Sequence, residues 1–78
     1  SILDDMSRSG KREQRIRENP NNVSLEDFEA LIRRYGHIEY GGNHPKAIIG
    51  KIMFPCKRSN LVKPPYVEGI LEIIDKLR

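Results

Sequence analysis

The chain has 78 residues, 37% of them hydrophobic and 32% charged, so it can form one small domain and no second lobe. No apolar run approaches the roughly 20 residues that a membrane-spanning helix needs, and we expect no membrane partner. A single cysteine, Cys56, excludes an intrachain disulfide and a cysteine-cluster zinc site, which favours a reducing, cytoplasmic compartment.

The positive charge is concentrated in the middle of the chain. Lys and Arg number 14 against 11 acidic residues, a net charge of +3, but residues 33–63 hold seven cations and one acid, Glu39. Those cations are Arg33, Arg34, Lys46, Lys51, Lys57, Arg58 and Lys63. Such a segment attracts phosphates by counterion release. Lysines at strand edges also prevent aggregation, so charge alone leaves both interpretations open.

Residues 1–22 have the composition of a polar N-terminal tail, and residues 23–78 that of a folded domain. The tail mixes charges of both signs and ends in Asn19-Pro20-Asn21-Asn22. A short helix can form near residues 11–18, with Ile16 as its apolar anchor, but Pro20 would end it.

The first well-defined element is a helix over residues 24–35. Ser24 is an N-cap with a carboxylate, Asp27, three residues later, and Gly36 occupies the position of a left-handed C-cap. The apolar residues that repeat at helical spacing are Leu25, Phe28, Leu31, Ile32 and Tyr35.

Three short strands are predicted next, over residues 37–40, 46–49 and 52–54, with Gly50-Lys51 as a tight turn. Pro64-Pro65 then opens a final helix, because proline is tolerated in the first turn. Gly69 within that helix indicates a close approach by another part of the chain.

The sequence therefore predicts an α+β fold, a small three-stranded antiparallel sheet with two helices on one face. Its predicted core residues are Leu25, Phe28, Leu31, Ile32, Val67, Ile70, Leu71 and Ile74.

Few residues can exchange protons near neutral pH. The histidines are His37 and His44, and His44 lies in the loop Gly41-Gly42-Asn43-His44-Pro45. A histidine followed by several cations is what RNA cleavage without a metal requires, since a base takes the 2′-hydroxyl proton and cations stabilise the phosphorane. A surface histidine in a turn is also ordinary, and from composition alone that interpretation is the better one.

Other chemistries are poorly supported. Two histidines near a single acid, Glu39, make a poor metal site, and we expect neither a metal nor a small-molecule cofactor. Cys56 has no catalytic-triad pattern around it and is more often a strand residue than a nucleophile. Tyr40 and Phe54 are candidates for stacking on bases, although such residues more often belong to a sheet core.

Five runs of residues, in the order of a known family and at nearly its spacing, point to that family. They are Asn19-Pro20-Asn21-Asn22-Val23-Ser24-Leu25-Glu26-Asp27-Phe28, Gly42-Asn43-His44, Ile52-Met53-Phe54-Pro55, Val62-Lys63-Pro64-Pro65-Tyr66-Val67 and Ile70-Leu71-Glu72-Ile73-Ile74. Over residues 16–77 the chain resembles the HicA family of bacterial and archaeal toxins.

The resemblance implies a fold like that of a double-stranded-RNA-binding domain, activity as an mRNA interferase, and neutralisation by a HicB antitoxin. It implies that His44 is the catalytic residue, because Gly42-Asn43-His44 matches the family's Gly-Ser-His motif with Asn for Ser. Pro45 departs from the family, whose members continue directly into a strand, and proline donates no ladder hydrogen bond.

We therefore predict a metal-independent endoribonuclease toxin that acts on mRNA, with His44 as general acid or base. The residues predicted to bind RNA are Gly42 and Asn43 in the loop and the cations Lys46, Lys51, Lys57 and Arg58, which are chosen from charge and position. Pro45 motivates an alternative, a non-catalytic RNA-binding module of the same fold. A third class is a protein-interaction domain whose basic face binds an acidic partner.

Overall fold

The computed structural model describes residues 8–57 and 59–77, with the backbone alone for residues 8 and 9. The elements in chain order are α1 (Arg8–Glu18), α2 (Leu25–Tyr35), β1 (His37–Glu39), β2 (Lys46–Ile49), β3 (Ile52–Pro55) and α3 (Pro64–Leu77). The α+β class and the helix, three strands, helix order are confirmed, and strand bounds differ from prediction by one residue. No helix in these ranges is long and apolar enough to cross a bilayer.

Helix α2 begins as the sequence predicts and ends differently. Ser24 Oγ accepts a hydrogen bond from the Asp27 N–H at 3.1 Å, the predicted N-cap. Gly36 has φ −166°, so the predicted left-handed C-cap is wrong. Glycine is needed there for another reason: a Cβ at this position would lie 1.9 Å from the carbonyl oxygen of Ile48. The close approach of β2 to the end of α2 therefore requires glycine.

The three strands form one antiparallel sheet in the order β1-β2-β3. Ala47 in β2 pairs with Ile38 and Phe54, and this row faces the helices. The next row, His37, Ile48 and Met53, is on the opposite face, where Met53 is 57% exposed. Helices therefore cover one face of the sheet only, as predicted.

The core lies between that inner face and the helices. Six of the eight predicted core residues are buried, while Leu25 and Leu71 are half-buried at its edge. The buried apolar residues are Ile16, Val23, Phe28, Leu31, Ile32, Ala47, Ile49, Cys56, Val62, Val67, Ile70, Ile73 and Ile74.

Helix α1 is packed against this core. The helix expected near residues 11–18 spans Arg8–Glu18, and its Ile16 is only 3% exposed. Glu13, on the same helix, is 6% exposed and is hydrogen-bonded to Tyr35 of α2. Residues 8–18 are therefore part of the folded unit, and the remainder of the predicted tail before residue 8 lies outside the described residues.

Candidate functional site

His44 lines an open cleft between the β1–β2 loop, the end of β3 and the start of α3. The cleft has a volume of about 340 Å³ and is lined by His44, Pro55, Cys56, Lys57 and Tyr66. These residues come from three separate parts of the sequence: the loop before β2, the chain around the end of β3, and the first turn of α3. The His44 side chain is exposed and therefore accessible to a ligand.

A left-handed glycine and a backbone hydrogen bond flank His44 in its loop. Gly42 has φ +77°, a left-handed conformation that favours glycine. On the other side, the Pro45 carbonyl accepts a hydrogen bond from the Cys56 N–H at 2.9 Å. Pro45 cannot donate a ladder bond, but its carbonyl still joins this loop to the chain after β3. His44 is thus followed by Pro45, whose φ is restricted by its ring and whose carbonyl is hydrogen-bonded.

Tyr66 forms an aromatic wall of the cleft, and sequence reasoning missed it as a site residue. Its ring packs edge-on against Phe54, with centroids 6.4 Å apart and planes at 85°. Phe54 is in turn packed on Gly69 of α3, where an added Cβ would lie 2.5 Å from the Phe54 ring. The predicted close approach at Gly69 is therefore confirmed. A tyrosine directly after Pro64-Pro65, in the first turn of a helix, was the available signal.

The cleft is positively charged. Its lining contains Lys57 and none of the described carboxylates. Lys46 begins β2 with Glu39 of β1 opposite it on one side and Pro55 of β3 on the other, and Lys63 precedes the turn of α3 that holds Tyr66. Within residues 8–57 and 59–77, none of these three lysines forms an ion pair. The lysines around the cleft therefore remain available for an anionic ligand.

The other predicted RNA-binding residues are placed differently. Gly42 and Asn43 are exposed in the His44 loop. Lys51 lies in the Gly50-Lys51 turn, at the far end of β2 from Lys46, so the strand separates the two lysines by about 10 Å. Lys51 is not brought to the cleft, and Arg58 lies outside the described residues.

The cationic segment recognised in the sequence does not form a single surface. Arg33 lies 3.7 Å from Glu29 and donates a hydrogen bond to the Tyr40 hydroxyl at 2.9 Å. Arg34 lies 3.9 Å from the buried carboxylate of Glu13. Both arginines therefore stabilise the helical side of the molecule. Tyr40, considered for base stacking, is exposed but hydrogen-bonded on that side as well.

The second histidine has a different environment. His37 lies on the open face of the sheet, and its Nε2 is 3.3 Å from Glu39 Oε2. It does not line the His44 cleft. The two exposed histidines therefore differ in their surroundings. His37 lies beside the carboxylate of Glu39, whereas His44 lines the same cleft as Lys57, which forms no ion pair among the described residues.

Cys56 lines the cleft but is unsuited to nucleophilic chemistry. Its side chain is 7% exposed, and its Sγ donates to the Phe54 carbonyl at 3.4 Å. Burial raises the pKa of the thiol, with a smaller opposing effect from a hydrogen bond with the Ala47 backbone. The thiolate is therefore disfavoured near neutral pH. Across the described residues, no three His, Cys, Asp or Glu side chains are grouped so as to hold a metal ion.

Comparisons with known proteins identify no relative: no family model, no curated protein and no solved structure matches this chain.

Proposed function

We propose that the protein is a metal-independent endoribonuclease that cleaves mRNA, with His44 transferring the proton. The observation that supports this most directly is that His44 and Lys57 line one accessible cleft. Lys57 forms no ion pair among the described residues, and no described carboxylate lines the cleft. Proton transfer near neutral pH and charge stabilisation at phosphorus are the two requirements of RNA cleavage by its own 2′-hydroxyl.

The reaction assigns a separate role to each side chain. His44 accepts the proton of the 2′-hydroxyl, whose oxygen then forms a bond to the adjacent phosphorus. The bond from phosphorus to the 5′-oxygen breaks, and that oxygen takes a proton from solvent, which leaves a 2′,3′-cyclic phosphate and a 5′-hydroxyl. Lys57 offsets the added negative charge on the phosphorane. Lys46 and Lys63 bind neighbouring phosphates, and Gly42 and Asn43 shape the loop.

The resemblance to HicA toxins extends this proposal to a biological role. On that basis the enzyme is a cytoplasmic toxin that inhibits translation, and a HicB-type antitoxin neutralises it.

The test is cleavage of a long mRNA in EDTA by the parent protein, His44→Ala and His37→Ala. His37 is the matched control, since it is the other exposed histidine and lies outside the cleft. We expect fragments with 2′,3′-cyclic phosphate ends from the parent and from His37→Ala, and none from His44→Ala. Full cleavage by His44→Ala would contradict the proposal. So would a parent protein that cleaves the mRNA without EDTA but not in its presence.

A second candidate function is a non-catalytic RNA-binding module. It is favoured by the narrow chemistry of the cleft, whose described lining contains one histidine, His44, and no carboxylate, and by Pro45 directly after that histidine. Salt-sensitive RNA binding without cleavage by the parent would select this function. A protein-interaction domain, the third class, predicts no salt-sensitive affinity for RNA.

A further inference from the structure

One wall of the cleft is an aromatic ring that is restrained by its neighbours. Tyr66 is half-buried, and its ring makes a T-shaped contact with Phe54. Phe54 cannot recede, because its ring is already in contact with the α3 backbone at Gly69. Binding against Tyr66 would therefore order few additional side-chain torsions, which keeps the entropic cost of association low.

The backbone beneath the ring is fixed as well. The Tyr66 N–H donates to the Lys63 carbonyl at 3.0 Å, and the next residue, Val67, is fully buried. Pro64 and Pro65 precede Tyr66 and have no N–H, so the start of α3 offers few backbone donors to an anion. The apolar ring is what this end of the helix presents to the cleft.

The chemistry of the lining matches one nucleotide. Pro55 and Tyr66 supply apolar surface, and Lys57 supplies a cation next to it. A nucleobase has an apolar face that stacks on aromatic rings, and its phosphate pairs with lysine. The volume, about 340 Å³, is at the small end of ligand pockets and is large enough for one base.

We propose that Tyr66 is the stacking platform for one unpaired base of single-stranded RNA, beside the phosphate held by Lys57. The inference rests on the proposed function for its ligand, RNA, and it adds a substrate requirement: the base must be unstacked and unpaired. Bases in a duplex are already stacked on their neighbours and cannot present a free face. Tyr66 then acts as a binding and positioning residue, with His44 performing the proton transfer.

The test uses a short single-stranded RNA that contains 2-aminopurine, whose fluorescence is quenched when the base stacks. The protein is the full chain with His44→Ala, so that the probe is not cleaved. In that background Tyr66→Phe keeps the aromatic face, whereas Tyr66→Leu removes it. We expect the Phe variant to quench the probe and to bind it with unchanged affinity. The Leu variant should not quench the probe and should bind it roughly 10-fold more weakly, since one stacked base contributes about 1–3 kcal/mol.

Tyr40→Leu is the matched control, because Tyr40 is exposed but lies on the α2 side. It should change neither quenching nor affinity. Thermal unfolding of each variant separates a folding defect from a loss of stacking, and the Phe variant should melt like the parent. Equal protein-induced quenching by the folded Leu variant, or equal affinity for the same probe within a duplex, would overturn the platform.

The two proposals fail in different ways. Quenching that depends on Tyr66, with no cleavage by the parent, would reject the endoribonuclease and keep the platform. Cleavage that depends on His44, with no effect of Tyr66→Leu on quenching or KM, would reject the platform and keep the endoribonuclease.

Discussion

The cations on the two sides of the molecule have opposite surroundings. On the helical side, three arginines are paired with carboxylates: Arg12 with Asp27 at 3.1 Å, Arg17 with Asp75 at 2.8 Å, and Arg34 with Glu13 at 3.9 Å. Around the cleft, the cations among the described residues are Lys46, Lys57 and Lys63, and none of them forms an ion pair with a described carboxylate. The guanidinium fork suits fixed carboxylate contacts, and a mobile ammonium suits phosphates that come and go. The sign and number of the charges alone do not distinguish a cation that holds a carboxylate within the fold from one that binds a ligand phosphate.

The helical side depends on its ion pairs to hold α1 in place. In α1 the buried apolar contact comes from Ile16, and much of the docking passes through the buried carboxylate of Glu13. Glu13 accepts hydrogen bonds from the Tyr35 hydroxyl at 2.5 Å and from Arg17 Nε at 3.1 Å. In this environment a carboxylate is stabilising only while its partners are present.

The largest expected effect comes from breaking this network. Glu13→Ala removes the carboxylate that accepts hydrogen bonds from the Tyr35 hydroxyl and from Arg17 in a partly buried site. We expect it to lower the free energy of unfolding by about 2 kcal/mol in urea titrations. The control is Glu72→Ala, since Glu72 also has an i,i+4 partner, Lys76, but both side chains are exposed. It should cost about 0.3 kcal/mol, and similar losses for both variants would show that α1 is not held by its buried ion pairs.

The next effect separates the two sides directly by removing one positive charge from each. Lys57→Gln should weaken binding of single-stranded RNA roughly five-fold at moderate salt, with unchanged stability, because an unpaired lysine holds a phosphate. Arg12→Gln should leave RNA affinity unchanged and lower stability by about 0.5 kcal/mol, because its partner is Asp27. Affinity measured by fluorescence anisotropy and stability measured in urea should therefore respond to different variants. Equal loss of affinity in both would mean that net charge alone governs binding.

The smallest effect concerns the thiol in the cleft. Burial raises the pKa of Cys56 above its ordinary value of 9.0, so the folded state retains the thiol proton more tightly than the unfolded state. Its contribution to stability is complete below the unfolded pKa and is lost as pH rises through the folded pKa. Between about pH 8 and about pH 10 the parent should therefore lose more stability than Cys56→Ala. Parallel pH profiles for the two proteins would contradict this.

Much of the fold could be predicted because local signals and packing agree. The Ser24 cap, the helical apolar spacing of α2 and the Gly50-Lys51 turn each determine a nearby backbone conformation, and all three were confirmed. Gly36 shows the limit: its glycine is required by the carbonyl of Ile48, a contact between elements that spacing along the chain does not reveal.

The candidate site was predictable only in part, for the same physical reason. His44 and Lys57 could be selected by residue type, and both line the cleft. Lys51 could not be excluded, since its distance from Lys46 depends on strand register. Tyr66 was missed because it lines the same cleft as His44 only when α3 packs against Phe54 of β3. The pairing of Arg34 with Glu13 likewise depends on how α1 and α2 are packed, whereas Arg33 and Glu29 are i,i+4 neighbours within α2.

The most direct test of the whole account is the salt dependence of RNA binding by the uncleaving His44→Ala protein. Three unpaired lysines around the cleft predict that the logarithm of the association constant falls with the logarithm of salt concentration with a slope of about −2. Lys57→Gln should reduce that slope by about 0.7, and Arg12→Gln should leave it unchanged. Absence of RNA affinity, or a slope near zero, would contradict an RNA-binding cleft and favour a protein-interaction domain.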